Sequence, residues 1–79
     1  MTKEEVFAGL KEVIGIIRPS TELSHVNFDT QLVRDLGIDS LSMMLLSLAV
    51  EEKFQIRFPA DADAPTTVGE VCDAVLAAK

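Results

Sequence analysis

The chain of 79 residues carries 13 acidic against seven basic side chains, a net charge of −6, and its apolar content of 48% includes only four aromatic residues, all Phe. That length makes one small domain, near the lower limit for a core without staples, and that apolar content argues against wholesale disorder. The charge disfavours nucleic acid and anionic membranes and favours partners with basic docking surfaces. One cysteine, Cys72, excludes an internal disulfide and leaves no second thiol for a zinc site, so no metal ligand set is expected. The opening stretch MTKEEVFAGLKEV has glutamates where a secretory leader would be positive and then apolar, and apolar runs such as Met43–Leu46 are far too short to span a bilayer. A cytoplasmic protein without membrane insertion is therefore expected.

The first helix is predicted from Lys3 to Ile17. Thr2 followed by Glu5 forms a capping-box pattern, and Val6, Phe7, Leu10, Val13, Ile14 and Ile17 then recur at helical spacing. Pro19 ends it, because the residue before a proline avoids the helical region. A long connection follows, Arg18 to Ile38. It carries its own anchors in Val26, Phe28, Leu32, Leu36 and Ile38, which should pack it onto the core, and Asp29 is placed to cap a short turn over Gln31 to Arg34. His25 in this connection reads as an ordinary loop residue.

The second helix is predicted from Ser40 to Phe54, with Asp39 as its N-cap. Gly37 just before it is free to take a backbone conformation that other residues resist. With Leu41 at zero and about 100° per residue, Met44, Leu45 and Leu48 fall within roughly 60° of it, whereas Met43, Leu46, Val50 and Phe54 gather on the far side. A bundle this small buries one such stripe. Phe54 and the β-branched Val50 mark the far side as core, so the Leu41 side is expected at the surface, where apolar patches mark interaction sites.

Pro59 closes the connection after this helix, and a short helical turn is predicted around Asp61 to Asp63. The last helix opens on a second capping-box pattern, Thr67 with Glu70, and carries Val68, Val71, Cys72, Val75 and Leu76 on one inward stripe. No stretch alternates like a strand. The predicted fold is all-α: a single domain over residues 1–79, a small bundle of three main helices plus the short turn, with a long ordered loop between the first two helices.

Ser40 has no catalytic surroundings in the sequence. GIDSL is not a hydrolase elbow, the lone histidine is His25 with nothing to identify it as a base, and Asp35 and Asp39 would oppose an alkoxide. No catalytic residue is assigned, and the chain is not expected to be an enzyme. Two readings of Ser40 stand on chemistry alone. It either helps Asp39 cap the helix, or offers a hydroxyl where the unpaired amides and partial positive charge of a helix N-terminus stabilise a phosphate ester.

LGIDSL, Leu36 to Leu41, resembles the L-G-x-D-S-L motif of acyl carrier proteins, the attachment motif for 4′-phosphopantetheine. The resemblance extends in order over nearly the whole chain, through the first helix, the long loop, EEKFQIRFP after the second helix and TTVGEV at the last. It implies a covalent 4′-phosphopantetheine arm on Ser40, moved from coenzyme A by a phosphopantetheinyl transferase that recognises Asp39. It also implies acyl thioesters on that arm, and a partner surface beginning at Leu41 and including Met44, Leu45, Leu48, Glu51 and Glu52. The partners implied are acyl-loading, ketosynthase or acyltransferase enzymes meeting a monomeric carrier.

The chain departs from the fatty-acid pattern D-S-L-D-x-V-E-L at two places, with Ser42 for the aspartate and Leu45 for the glutamate, while Lys53 and Arg57 add positive charge. Docking should therefore be more hydrophobic and less steered by charge, as in a carrier dedicated to a specialised lipid, polyketide or secondary-metabolite pathway. A peptidyl or aminoacyl carrier is the first alternative, opposed by Ile38 where L-G-G-x-S-L has its second glycine. An unmodified helical interaction module is the second.

Overall fold

In the computed structural model, residues 1–20, 22–59 and 64–78 are described. Helix α1 spans Lys3–Ile17, α2 Ser40–Phe54 and α3 Val68–Ala78, with a 3-10 turn at Leu23–His25 in the crossover. No strand occurs among the described residues, so the all-α expectation holds. The short helical turn expected near Asp61–Asp63 falls outside the described residues; the 3-10 turn that is present was not anticipated.

Local chemistry sets the helix ends. The Thr2 hydroxyl accepts the Glu5 amide at 3.1 Å and the Glu5 carboxylate accepts the Thr2 amide at 2.9 Å, which satisfies two donors at the start of α1. At its other end Arg18 donates its amide to the Ile14 carbonyl at 2.7 Å before Pro19 prevents continuation. Helix α2 ends on Gln55, which takes the left-handed conformation at φ 57°, and Ile56 donates back to the Glu51 carbonyl at 3.0 Å. The predicted box at α3 is modified. Thr67 accepts the Glu70 amide at 3.2 Å, but the Glu70 carboxylate reaches the amide of Thr66, at 3.4 Å.

Helix α1 packs against both α2 and α3. It contributes Val6, Leu10, Val13 and Ile14 to the core; α2 contributes Leu46, Val50 and Phe54, and α3 Val68, Val71, Cys72 and Val75. The crossover adds Val26, Leu32, Leu36 and Ile38, four of its five predicted anchors, while Phe28 lies half-buried with its ring 4.7 Å from that of Phe7.

The crossover is held by backbone as much as by these anchors. Leu32 donates to Thr66 at 2.9 Å, Val68 to Thr30 at 2.9 Å and Gly69 to Phe28 at 2.8 Å, around an antiparallel bridge between Gln31 and Thr67. The turn that follows is not capped by Asp29. Asp29 donates its own amide to the Asn27 side chain, and it is the Asp35 carboxylate that accepts the Gln31 amide, both at 2.8 Å. Asp35 prevails because the turn itself folds its carboxylate back onto that amide.

Gly69 marks the closest approach of loop and helix. A Cβ there would stand 2.9 Å from the Phe28 carbonyl oxygen, a backbone atom fixed by the same pairing. Gly69→Ala is expected to destabilise the fold by about 1–3 kcal/mol in urea unfolding, the usual cost of overpacking. Gly15→Ala, in α1, meets only a flexible Leu23 methyl at 3.2 Å and gains helix propensity, so it should be neutral or stabilising in the same measurement.

Candidate functional site

The loop before α2 is built to bring its first residues out of the core. Ile38 is buried, anchoring the chain from below, and Gly37 at φ 68° reverses it with a conformation that costs a side-chain-bearing residue about 1–2 kcal/mol. Beyond them Asp39 is extended, and its carboxylate accepts the Ser42 amide at 2.8 Å while its carbonyl accepts that of Met43 at 2.8 Å. Asp39 is thus the N-cap, as the sequence indicates. The hydrogen bond from Ser42, helped by the positive charge of Arg18, holds its carboxyl below the usual aspartate range.

Ser40 is the first residue of α2 and is exposed. Its hydroxyl takes no part in any hydrogen bond among the described residues, so capping rests on Asp39. The hydroxyl therefore stands in solvent beside the helix amides, a position that suits an ester to a phosphate. His25 is also exposed, and no group of His, Cys, Asp and Glu suited to a metal ion occurs among the described residues. Cys72 is buried on the inward face of α3, and desolvation pushes its thiol up, which leaves it a small apolar side chain.

Four of the residues predicted to face partners form one exposed stripe on α2: Leu41 at 67% of its full exposure, Met44 at 61%, Leu45 at 50% and Leu48 at 57%. The crossover does not cover them. Glu52 is exposed at the far end of the helix, but Glu51 is half-buried and its carboxylate accepts the Phe58 amide at 2.8 Å. Glu51 thus ties the connection after α2 back to the helix. Placing Glu51 with Glu52 on the partner surface missed this, because the bond is to backbone seven residues on.

Between α2 and α3 lies a cavity of about 460 Å³, walled by Met43, Leu46, Val50, Phe58, Val71 and Ala74. Its mostly apolar wall suits a hydrocarbon chain. Phe58, four residues past Phe54, had no role assigned from the sequence. Arg18 was overlooked as well. Its side chain reaches from the end of α1 to Gly37, a contact across the crossover with no local signal. No helix among the described residues is long and apolar enough to cross a membrane.

A family model for the phosphopantetheine attachment site matches residues 4–75. An acyl carrier protein of Acidothermus cellulolyticus is 38% identical over 74 residues, covering 92% of this chain and 87% of that protein. The chain belongs to the acyl carrier protein family. The meromycolate extension acyl carrier protein of Mycolicibacterium smegmatis is similar too, 39% identical over 71 residues, 89% of this chain and 71% of its own. So is an acyl carrier protein of a Sulfurovum species, 41% identical over 66 residues, 82% of this chain and 87% of its own. Membership assigns the chain its function, carrying acyl groups, and its cofactor, 4′-phosphopantetheine. It also implies dealings with a phosphopantetheinyl transferase and with acyl-handling enzymes. The mouth of α2 fits the cofactor: an exposed, unbonded hydroxyl beside helix amides, on a helix that another side chain already caps.

The Asp39 cap gives the site a pH signature. Its folded pKa lies below its unfolded one, so its contribution to stability is complete above the ordinary aspartate range near 4 and is lost as pH falls through the depressed folded value. Glu5 and Glu12, depressed by the Thr2 bond and by Lys53 respectively, act in the same direction. Thermal unfolding followed from pH 7 to pH 2 should therefore give a Tm that falls below about pH 4. Asp39→Asn, which keeps a capping oxygen, should retain most of the Tm at pH 7 with a shallower fall in acid, whereas Asp39→Ala should lower it at pH 7.

Proposed function

We propose that Ser40 carries the 4′-phosphopantetheine arm and that the α2 stripe is where enzymes dock to reach it. The observation that carries this reading is the free Ser40 hydroxyl at the head of an exposed apolar stripe. When bound, the arm supplies a terminal thiol on which acyl groups are held as thioesters. Ser40 supplies the ester oxygen, but among the described residues no base lies in hydrogen-bonding contact with it, so the transferase must take its proton. Asp39, ionised at neutral pH and fixed by its own cap, offers that transferase a charged recognition point next to the hydroxyl. Leu41, Met44, Leu45 and Leu48 give loading, ketosynthase and acyltransferase enzymes an apolar surface, with Glu52 at its end and Glu51 contributing less because it is tied to Phe58. The chain itself catalyses nothing in this reading, and works as a cytoplasmic monomer where coenzyme A and its partners are present.

The cargo pathway is a specialised one. The first two turns of α2 hold no acid: Ser42 and Leu45 stand where common fatty-acid carriers resemble D-S-L-D-x-V-E-L. Partners that recognise this face gain more from burying it than from charge steering. A relative named for meromycolate extension is in keeping with a dedicated lipid pathway, and the cavity between α2 and α3 offers shelter to part of an acyl chain.

Intact mass before and after incubation with coenzyme A and a broad-specificity transferase tests the attachment. One phosphopantetheine is expected on the wild type and none on Ser40→Ala; folded, initially unmodified protein that gains nothing would leave Ser40 without the arm and favour an unmodified interaction module. The docking face is tested by Leu45→Ser and Leu48→Ser. Both should fold with little change in Tm and raise the KM of a cognate partner roughly 10-fold, the scale of one interface anchor. A housekeeping ketosynthase that extends this protein as fast as its own carrier would overturn the specialised role.

A further inference from the structure

On the crossover side of the molecule lies an open polar cavity of about 710 Å³ whose titratable lining groups are Arg18, Glu22, His25, Asp29 and Asp35. Arg18 is its one permanently charged cation. The residue follows the last turn of α1, and its side chain crosses to the loop before α2, where Nη2 stands 3.3 Å from the point a Cβ on Gly37 would occupy. A Cβ at 37 would move the flexible guanidinium by only a few tenths of an ångström; it is the positive φ of 68° that favours glycine there. Among the described residues the guanidinium forms no ion pair, although carboxylates surround the cavity. Its field nevertheless reaches the motif, because it contributes to holding the Asp39 carboxyl down.

An ester of phosphate on Ser40 would add a permanent negative charge one residue from ionised Asp39 and three from Gly37, which the Arg18 side chain approaches. The α2 N-terminus offsets part of that repulsion. A cation held nearby without a partner offsets more. Arginine suits the task, since it stays charged at any physiological pH and its fork of N–H donors matches phosphate oxygens.

We propose that Arg18 is a positioning residue for the phosphodiester on Ser40: its guanidinium, laid across Gly37 and lacking an ion pair, offsets the charge that modification brings to the loop. The inference rests on Ser40 being the attachment residue. It differs from a purely structural role, in which Arg18 would brace the Gly37 turn equally whether or not Ser40 is modified.

The test compares Tm for unmodified and modified full-length protein, as wild type, Arg18→Gln and Arg18→Lys, at low ionic strength and in about 0.5 M salt, where exposed charges are screened within a few ångströms. Modification should cost Arg18→Gln roughly 2–5 °C more than it costs the wild type, the size expected for a surface charge pair in a domain this small. Arg18→Lys should recover most of that difference, and salt should shrink it. The Nε–Hε resonance of Arg18, read by NMR in the wild type, should move when the arm is attached. Equal costs in wild type and Arg18→Gln, or a resonance that does not move, would overturn the inference, and the resonance alone decides should Arg18→Gln fail to fold. Wild-type protein whose intact mass never rises would overturn the attachment reading and this inference together, an outcome distinct from normal modification with no Arg18 effect.

Discussion

A helix with two apolar faces in a three-helix bundle can bury only one of them, and the choice made in α2 governs the rest of this molecule. Its apolar residues are spread so evenly that they nearly cancel around the axis. Rotation is therefore set by fit rather than by a polar side turned outward. Leu46, Val50 and Phe54 fill the space against α1, where Gly9 leaves room for the Phe54 ring: a Cβ on Gly9 would stand 2.7 Å from its Cζ. Fully burying side chains of this size is worth about 1.5–3 kcal/mol each. Once that face is committed, Leu41, Met44, Leu45 and Leu48 have nowhere to go but solvent. The exposed stripe is thus the remainder of a core decision, and an apolar patch of this kind carries a cost in solubility.

The crossover then fixes where α2 begins. Its pairing to the lead-in of α3 puts Thr30, Gln31 and Leu32 beside Thr66, Thr67 and Val68, and the buried Leu36 and Ile38 hold the next turn down. From a pinned loop and a left-handed Gly37, the chain emerges with Asp39 extended and Ser40 at the surface. A loose loop would let the head of α2 fray, since its unpaired amides depend on the Asp39 carboxylate staying in place. The long connection therefore acts as a rigid part of the site.

Much of this was legible in the sequence because it is local. Thr2 with Glu5, Pro19 and Asp39 each act within a few residues, and the limits of α1 and α2 came out where those signals put them. The exposure of the Leu41 face followed from counting stripes against the number of neighbours available. What escaped lies in long-range contact without a side-chain signature. The loop-to-α3 pairing is made by backbone groups that every residue but proline has, so no residue type announces it. Asp29 was expected to cap the turn and Asp35 was not; only the folded turn decides which carboxylate meets the Gln31 amide. The Glu51 bond to Phe58 and the reach of Arg18 to Gly37 likewise depend on where separate segments come to rest.

The charges around Ser40 suggest how such a surface separates right from wrong partners. A face with several acids attracts any enzyme with a basic patch, over a range set by the Debye length of about 8 Å at physiological salt. At the head of α2 this chain has Asp39 as its nearest acid, and leucines and methionine follow. Long-range attraction to a generic basic patch is correspondingly weak, and an enzyme docking on α2 as proposed would draw its affinity from desolvating Leu41, Met44, Leu45 and Leu48 against a matching apolar surface. Apolar burial acts only at contact and depends on shape, whereas Coulomb attraction tolerates misfit. An enzyme whose basic residues meet Leu45 instead of a carboxylate would leave a cation partly desolvated without a partner, which costs more than the lost attraction alone. In the proposed docking mode, apolar residues in place of acids on α2 would therefore do two things at once: strengthen the contact with a complementary partner and penalise enzymes built for an acidic carrier.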